Sequence, residues 1–442
     1  MTTAGFAVST IFHYEHLKHL YRTWEDALFV LFSLDGTEHT TKIKNHLHRS
    51  GVRYCHVKEL CEKNIHLDVL YSVYWMPSFI VLGPEVMHVR VMYGYAKDEW
   101  NYGSWNRNYD LIFTYGPYAE EKLCDATPCI SAGHPRLPIR TSHYAWRSGR
   151  KKLLYCPTYG ERSSLPEFDA IVPQLTNDYE ITVKLHHLTD IAFCPNLSEF
   201  QRAERIRVLD ESHDLFDLIP DSDLVISDHS GAIFDAMLHE RKILLIDPKP
   251  MKERIAQELN SDEGSLDIKI RTLLPHCEAE RLPEAISDAL AAPIGYKAVL
   301  PKLFSGMGTE VPQNIRRHTA DRLQRFDRKN RQTALLHRFH RFVSADRRKL
   351  VICGAGEFGQ SILCLLKSQQ QETAFYVDSD ASKQETGVNG IPVISPDQLA
   401  HLTPAGHKCL IATVGGGPFY ERKLRQFGFE KDIDYICLFQ QE

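Results

Sequence analysis

Residues 223–238 read DLVISDHSGAIFDAML, and this stretch decides the fold of the chain around it. A short apolar run, LVI, leads directly into a polar turn, SDHSGA, and an apolar helical pattern follows at once. A buried strand that ends in a glycine-containing turn and continues as a helix is typical of parallel α/β sheets. Ligands bind to such sheets just beyond the carboxyl ends of the strands. The stretch therefore predicts a Rossmann-like unit and the edge at which its site lies.

The turn in this stretch has the features of a site for an anion. A helix that starts at Ser230 or Gly231 directs free N–H groups and the positive end of its dipole toward the strand end, where phosphate commonly binds. Ser230 can donate its hydroxyl, Gly231 leaves room for close approach, and Asp235 lies one turn further on, within reach of ribose hydroxyls. Helix capping by Asp228 or Ser230 is the simpler alternative, but it does not explain the whole turn.

The composition is that of a globular protein with two or three domains. The chain has 442 residues, of which 43% are hydrophobic and 25% are charged, and its formal net charge is -5. This negative charge argues against the binding of nucleic acid. No apolar stretch is long enough to predict a membrane span, and the N-terminal residues lack the pattern of a secretion signal. The 11 cysteines form no CxxC pair, so we expect reduced thiols, no metal site and a cytoplasmic protein.

Apolar runs alternate with helical patterns over the first two thirds of the chain. In residues 1–145 the runs GFAVSTI (5–11), ALFVLFSL (27–34), SFIVLG (78–83) and YDLIFTYG (109–116) predict strands of a first Rossmann-like unit. Residues 146–310 repeat the alternation and predict a second unit of the same kind. The sequence therefore predicts an α/β fold in which two Rossmann-like domains face each other across a cleft.

Residues 311–348 predict a basic amphipathic linker helix. Between residues 315 and 349 there are 12 Lys or Arg and 3 Asp. Apolar residues recur near helical spacing in the same segment: Ile315, Leu323, Phe326, Leu335, Leu336, Phe339 and Phe342. The simpler interpretation is a connecting helix with a solvated basic face, and the alternative is a helix that rests on an anionic membrane surface.

Residues 349–442 predict a third, small Rossmann-like unit. In GAGEFG, residues 354–359, Gly354, Gly356 and Gly359 fit the dinucleotide-binding fingerprint between a strand and a helix. Asp378 ends the next predicted strand, where an acid would meet a ribose. A bound nucleotide is one interpretation of this motif, and glycines that serve only packing are the other.

Further polar residues follow other predicted strands and are expected at the same cleft. Thr158 lies in YCPTYGERSS (155–164), and Lys184 and His186 lie in VKLHH (183–187). His134 and Arg136 lie in GHPRL (133–137), where the first two units join. Because the carboxyl ends of parallel strands share one edge, these side chains are predicted to face a common ligand.

These segments, together with DLFDLIPDSDLVISDHSGAIFDAML (214–238), resemble the CDP-glycerol glycerophosphotransferase family, which builds teichoic acids and related capsule polymers. The resemblance covers about residues 90–290. It implies the GT-B fold, with the acceptor on residues 1–145 and a CDP-linked donor on residues 146–310. It also implies transfer of glycerol phosphate, or a similar polyol phosphate, to a hydroxyl of a glycan or lipid-linked glycan at the inner face of the plasma membrane. Mg²⁺ bound mainly through the donor phosphates would leave no motif.

The resemblance also assigns roles to individual residues. It implies that His186 contacts the donor phosphate and that Ser227, Asp228 and Ser230 form part of the nucleotide-phosphate site. The full predicted donor-binding set is Thr158, Lys184, Ser227, Asp228, Ser230, Gly231, Asp235 and Arg136.

The general base is the main departure from the family pattern. The family carries an HGT..K element whose His is a candidate base, and the corresponding stretch here is VMYGYAKDEW (91–100), with Tyr93 in the His position. A tyrosine has an ordinary pKa of about 10 and is a poor base near neutral pH. We therefore predict that His134, His186 or Asp98 takes the proton.

Two alternatives stay open. The turn SDHSGA is also similar to the TDSGG…E turn of UDP-N-acetylglucosamine 2-epimerases, with Ser230, Gly231 and Asp235 in corresponding positions. One alternative is therefore an epimerase or GT-B glycosyltransferase that uses a nucleotide sugar, and another is a non-catalytic nucleotide-binding partner in polysaccharide assembly.

In the third unit, FYVDSDASKQETGVNGIPVISPDQL (375–399) resembles the small nucleotide-binding domain of sugar acyltransferases.

Overall fold

The computed structural model describes residues 2–438, except 33–37, 64, 84, 126, 137–148, 187–188, 190–193, 262–263, 327–333, 369 and 414–415. Within these residues the strands form three parallel sheets. The α/β prediction is therefore confirmed. The predicted boundary at residue 145 lies outside the described residues, and those at 310 and 348 fall outside every described strand; all three stay predictions.

The first sheet has seven strands in the order β3-β2-β1-β4-β5-β6-β7. They are β1 (Thr3–Val8), β2 (Asp26–Leu31), β3 (Tyr54–His56), β4 (Val69–Ser72), β5 (Met87–Val91), β6 (Leu111–Thr114) and β7 (Cys129–Ser131). The helices of this unit are α1 (Ile11–Tyr21), α2 (Glu38–Arg49), α3 (Val57–Glu62), α4 (Asp98–Asn101) and α5 (Pro117–Leu123). Its central strands are buried and mainly apolar because helices cover both faces of the sheet, although β5 also carries the buried His88 and Arg90.

The second sheet has six strands in the order β10-β9-β8-β11-β12-β13. They are β8 (Lys151–Cys156), β9 (Tyr179–Lys184), β10 (Ile206–Leu209), β11 (Leu224–Ser227), β12 (Ile243–Ile246) and β13 (His276–Cys277). The helices are α6 (Leu165–Leu175), α7 (Pro195–Arg202), α8 (Leu215–Leu218), α9 (Ala232–Leu238), α10 (Lys252–Leu259), α11 (Leu266–Lys269), α12 (Leu282–Ala291) and α13 (Leu300–Leu303). Strand order reverses between β8 and β11, so the ends of these two strands flank the crevice where ligands bind.

Two helices lie in the predicted linker, α14 (Glu310–Gln324) and α15 (Ala334–Ser344). Ile315 is buried against the first unit, whereas Phe339 and Phe342 are buried in the core that the third unit shares. The side chains of Leu335 and Leu336 lie outside the described residues. The described apolar residues therefore pack against the protein, which favours the connecting-helix interpretation over apolar insertion into a membrane.

The third sheet has five strands in the order β16-β15-β14-β17-β18. They are β14 (Lys349–Cys353), β15 (Thr373–Val377), β16 (Val393–Ile394), β17 (His407–Ile411) and β18 (Tyr435–Cys437). The helices are α16 (Glu357–Ser368), α17 (Ala381–Thr386) and α18 (Gly417–Gln426).

The third unit shares a hydrophobic core with the first. Ile362 and Leu366 of α16 belong to the same buried cluster as Phe79 and Ile80 of the first unit. The apolar run 78–83, predicted as a strand, is part of a 3₁₀ helix, Pro77–Leu82, so that prediction is wrong. The chain follows this course because Pro77 starts the helical turn and Gly83, at φ +79°, ends it, while α16 covers its apolar face.

Candidate functional site

A cavity of about 430 Å³ lies between the first and second units. Its walls come from loops at the carboxyl ends of strands in both sheets. Among the predicted residues, those that line it are Arg136, Thr158, Lys184, His186, Ser230, Gly231 and Asp235. The remaining predicted residues of these two units, Ser227, Asp228, His134 and Asp98, lie behind or beside the lining.

Ser227 and Asp228 hold the neighbouring loop in place. The Ser227 hydroxyl donates to the carbonyl oxygen of Cys156 at 2.6 Å. The buried carboxylate of Asp228 accepts the backbone N–H groups of Thr158 and Ser164, both at 2.8 Å. Burial raises the pKa of Asp228, and these N–H groups act against that rise. Both side chains shape the turn rather than lining the cavity.

Ser230 and Gly231 form the open part of the turn. Helix α9 begins at Ala232 with Gly231 as its N-cap, and the Ala232 N–H donates to the Ser230 hydroxyl at 3.3 Å. A Cβ added to Gly231 would meet nothing within 4 Å, so space for a ligand remains directly over this residue. The prediction of a close approach to the backbone at Gly231 agrees with this geometry.

Basic groups from both units meet beside this turn. Lys184 ends β9, and burial lowers its pKa. The His186 ring stacks on Tyr159 with ring centroids 4.4 Å apart. Across the cavity, the Lys97 ammonium lies 4.9 Å from the centroid of the same Tyr159 ring, and burial lowers the pKa of this lysine as well.

Lys97 and Tyr159 are two of the site residues that the sequence reasoning missed. Both lie inside quoted motifs, YCPTYGERSS for Tyr159 and VMYGYAKDEW for Lys97, so a signal for each was present. Lys97 has φ 64°, a left-handed backbone conformation that is uncommon outside glycine and often marks a functional position. Its N–H donates to Asp267 of the second unit at 3.2 Å, which fixes the loop across the cleft.

A buried network supports the opposite end of the cavity. The Arg136 guanidinium forms an ion pair with Asp214 and lies over the Phe216 ring. The His134 ring also stacks on the Phe216 ring, with ring centroids 4.7 Å apart. Burial raises the pKa of Asp235 to about 6, and Arg136 acts against the rise. A carboxyl group with this pKa changes charge under mildly acidic conditions.

Neither His134 nor Asp98 is placed as a base for a ligand in the cavity. His134 is 1% exposed, its Nδ1 accepts the Arg136 N–H at 3.3 Å, and burial holds its pKa well below the usual value. Its Nε2 lies 3.7 Å from Asp235, so the ring supports that carboxyl group. Asp98 accepts the Leu266 N–H at 3.3 Å and the Tyr118 hydroxyl at 3.2 Å, which joins the two units.

Three further groups bear on proton transfer. Burial raises the pKa of Tyr93, so its hydroxyl stays protonated near neutral pH. His229 Nδ1 faces Asp267 at 3.5 Å and its Nε2 faces Arg271 at 3.4 Å, which occupies both nitrogens. His213 lines the cavity, and its Nδ1 lies 3.0 Å from an Asp210 carboxylate oxygen. The Ser212 hydroxyl lies 3.3 Å from the same nitrogen, so two neighbouring groups fix the orientation of this ring.

The glycine turn of the third unit has two tightly packed glycines and one open glycine, the arrangement that the dinucleotide-binding fingerprint requires. A Cβ on Gly359 would lie 1.9 Å from the Gly354 carbonyl oxygen, and one on Gly354 would lie 2.6 Å from that of Ala412. Around Gly356 there is open space. Asp378 accepts the Ala355 N–H at 2.8 Å, so its carboxylate is bonded to the turn itself. A nucleotide in this unit stays a prediction.

Among the residues that the structure describes, no group of three or more His, Cys, Asp or Glu is arranged to hold a metal ion. In the same part of the chain no helix combines the length and apolar character needed to cross a membrane.

Comparisons with known proteins agree with this architecture. Residues 138–249 match the family model of CDP-Glycerol:Poly(glycerophosphate) glycerophosphotransferase, and residues 349–416 match that of the PglD N-terminal domain. The solved structure of the wall teichoic acid polymerase TagF aligns with a TM-score of 0.52 and 15% identity, covering 73% of this chain and 89% of that one. A variant of TagF soaked with CDPG for 30 minutes aligns with a TM-score of 0.51 at the same identity and the same coverage. A search of curated proteins found no match.

At this identity the structural similarity shows the fold, and the family model carries the resemblance in sequence. The GT-B-like pair of Rossmann-like units is therefore confirmed. The third unit matches the type of small domain that its sequence resembles. The predicted resemblance of the central segment to the CDP-glycerol glycerophosphotransferase family is confirmed over residues 138–249.

Proposed function

We propose that the chain transfers glycerol phosphate, or a similar polyol phosphate, from a CDP-linked donor to a hydroxyl of a glycan acceptor. The observation that carries this proposal is the cavity between the first two units, where Lys97 and His186 meet at Tyr159 beside Lys184. These groups come from both units and can neutralise a diphosphate held between them. The family match of residues 138–249 supports the same reaction.

The transfer requires one bond to form and one to break. The acceptor oxygen attacks the β-phosphorus of the donor, the bond from that phosphorus to the bridging oxygen breaks, and CMP leaves with the bridging oxygen. Lys184 and His186 bind the phosphate oxygens, while Ser230 and Gly231 border the phosphate at the open end of β11. Transfer of this kind depends on positioning and charge neutralisation more than on covalent chemistry.

We propose that His213 accepts the proton of the acceptor hydroxyl. Its ring lines the cavity, and the Asp210 carboxylate holds this ring through Nδ1. Burial acts to raise the pKa of Asp210, but hydrogen bonds from Ser212 and His213 lower it overall, so this carboxylate stays ionised. His213→Gln should lower kcat and leave the KM for CDP-glycerol unchanged. An unchanged kcat would assign the proton to another group.

In this proposal Mg²⁺ reaches the site bound to the substrate. The donor phosphates would hold it, since Mg²⁺ is commonly bound through substrate oxygens and retained water. Turnover measured with Mg²⁺, with EDTA, and after Mg²⁺ is added back tests this part.

We also place the reaction at the inner face of the plasma membrane, where a lipid-linked acceptor would lie. The exposed arginines of α14 support contact with anionic headgroups: Arg316, Arg317, Arg322 and Arg325. Co-sedimentation with phosphatidylglycerol vesicles should fall when these four are changed to Gln. Equal sedimentation of both proteins would remove the membrane from the proposal.

A thermal-shift titration with CMP, CDP-glycerol, UDP and UDP-N-acetylglucosamine tests the donor. A ligand that binds only the folded state adds about 2.7 kcal/mol of stability at a hundredfold excess over its Kd. A cytidine-selective shift that is reduced in Lys184→Ala supports the proposal. A uridine-selective shift would favour a nucleotide-sugar enzyme. Binding of CDP-glycerol without CMP release would favour a non-catalytic partner, the alternative that Tyr93 supports.

A further inference from the structure

One wall of the cavity is built from aromatic rings. The rings belong to the first unit and are called here the aromatic wall: Phe12, Tyr74, Tyr93 and Trp100. Ring centroids lie 6.0 Å apart for Phe12 and Tyr93, 6.1 Å for Tyr93 and Tyr74, and 6.4 Å for Tyr74 and Trp100. The four rings are therefore continuous, and Trp100 is 38% exposed at one end.

The wall carries little charge of its own. In the described segments that bear it, residues 10–15, 74 and 93–101, the charged lining groups are Glu15 and Lys97. Glu15 forms an ion pair with Lys18, and the Lys97 ammonium lies over Tyr159 of the opposite wall. A polyanionic chain needs a row of cations to bind, and these segments do not provide one.

The aromatic wall is also held rigidly from behind. Arg90 is fully buried, and its guanidinium donates to the carbonyl oxygens of Val73 at 3.2 Å and Asn101 at 2.9 Å. Those two residues directly adjoin Tyr74 and Trp100 in the chain. The Trp100 carbonyl in turn accepts the Trp105 Nε1–H at 2.8 Å. Rings fixed in this way bind a flat partner at a low cost in conformational entropy.

We propose that the aromatic wall is the acceptor subsite and that the acceptor presents a neutral sugar ring rather than a poly(glycerol phosphate) chain. This inference rests on the proposed function and specifies its acceptor. A sugar ring has an apolar C–H face that packs on aromatic rings and a polar edge that the tyrosine hydroxyls can meet. Thr158, Lys184 and Ser230 of the donor-binding set lie on the opposite unit, so the wall is proposed to face the attacking hydroxyl and not the nucleotide.

The experiment measures CMP release from CDP-glycerol by the full chain with two classes of acceptor. One class is a panel of neutral methyl glycosides of hexose, N-acetylhexosamine and deoxyhexose disaccharides, and the other is a glycerol phosphate trimer. Trp100→Ala should raise the KM for a glycoside about tenfold and leave the KM for CDP-glycerol unchanged, since one aromatic stacking partner is lost. Trp100→Phe should retain most of the affinity, and Phe419→Ala, an exposed aromatic of the third unit, is the matched control.

Faster release with the glycerol phosphate trimer than with every glycoside would overturn the inference. So would an increase in the KM for CDP-glycerol in Trp100→Ala, because the wall would then bind the cytosine. The absence of CMP release with any acceptor would contradict the proposed function instead. In that event, saturation-transfer NMR with the same glycosides still tests the wall. Signals from the sugar-ring protons that disappear in Trp100→Ala would support the inference. The absence of such signals with the unchanged chain would overturn it.

Discussion

The turn after β11 and the turn after β14 share the order of strand, glycine-containing turn and helix but differ in geometry. Each follows a buried strand, contains glycine and leads into a helix. At Gly231 the space over the backbone is open and borders the cavity, whereas at Gly359 a Cβ would collide with the Gly354 carbonyl oxygen. Gly356 of the turn after β14 is open as Gly231 is, so one glycine can leave room for a ligand while another serves close packing. The space above the residue, and not the motif, distinguishes the two.

Asp228 and Asp378, the acids beside these two turns, also differ in the groups they bind. Replacing them should give the largest difference in stability. Asp228 is fully buried and accepts N–H groups from Thr158 and Ser164 of another loop, whereas Asp378 accepts that of Ala355 in its own glycine turn. Asp228→Ala should cost about 3 kcal/mol or more, because each unsatisfied buried donor costs about 1 to 3 kcal/mol. Asp378→Ala should cost about 1 kcal/mol. Urea unfolding measures both, and equal losses would remove the distinction.

The glycines themselves give the next largest difference. Gly359→Ala should destabilise the protein by about 2 kcal/mol, since overpacking against backbone has few ways to relax. Gly231→Ala should change stability by less than about 0.5 kcal/mol, because its side chain would project into open space. It should instead weaken the thermal shift produced by CDP-glycerol. A stable Gly359→Ala protein would show that the turn after β14 is looser than its geometry indicates.

Asp235 gives the stability of the cleft a pH dependence. Burial raises its pKa from the ordinary 3.8 to about 6. The folded state therefore binds its proton more tightly than the unfolded chain, and stability falls as the pH rises from about 4 to 6. Asp235→Asn should flatten this dependence and add about 1 to 2 kcal/mol at pH 7. Unfolding curves at pH 4, 5, 6 and 7 for both proteins provide the measurement. Parallel curves would show that another group titrates.

The smallest effect is expected at Gly356. Its surroundings are open, so Gly356→Ala should change stability by less than about 0.5 kcal/mol and leave CMP release unchanged. Gly356→Trp tests whether a nucleotide occupies this unit, since the larger side chain would abolish a thermal shift produced there by NAD or UDP-N-acetylglucosamine. Loss of CMP release in either variant would move the chemistry to the third unit.

Much of this site could be predicted from the sequence because its residues follow strands of one parallel sheet. Thr158, Lys184, His186 and Ser230 come together for that reason alone. The pairing of Lys97 with Tyr159 could not be predicted, since it depends on how two separate units meet.

The local sequence pattern alone does not predict every element and every residue role in this fold. The run 78–83 suits a strand, but packing against α16 and the flanking Pro77 and Gly83 turn it into a 3₁₀ helix. His134 and Asp98 follow strands as a ligand-binding residue would, yet tertiary contacts with Asp235 and Leu266 commit them to structural roles. Contacts between distant elements decide each of these cases.

The measurement that tests the central claim most directly is CMP release from CDP-glycerol by the full chain, compared with His186→Ala and Lys184→Ala. These side chains line the cavity between the first two units and are proposed to bind the transferring phosphate. We predict release by the unchanged chain and a loss of about 10² to 10³ in kcat in each variant, with unfolding curves preserved. Release that both variants retain in full would contradict the assignment of the reaction to this cleft.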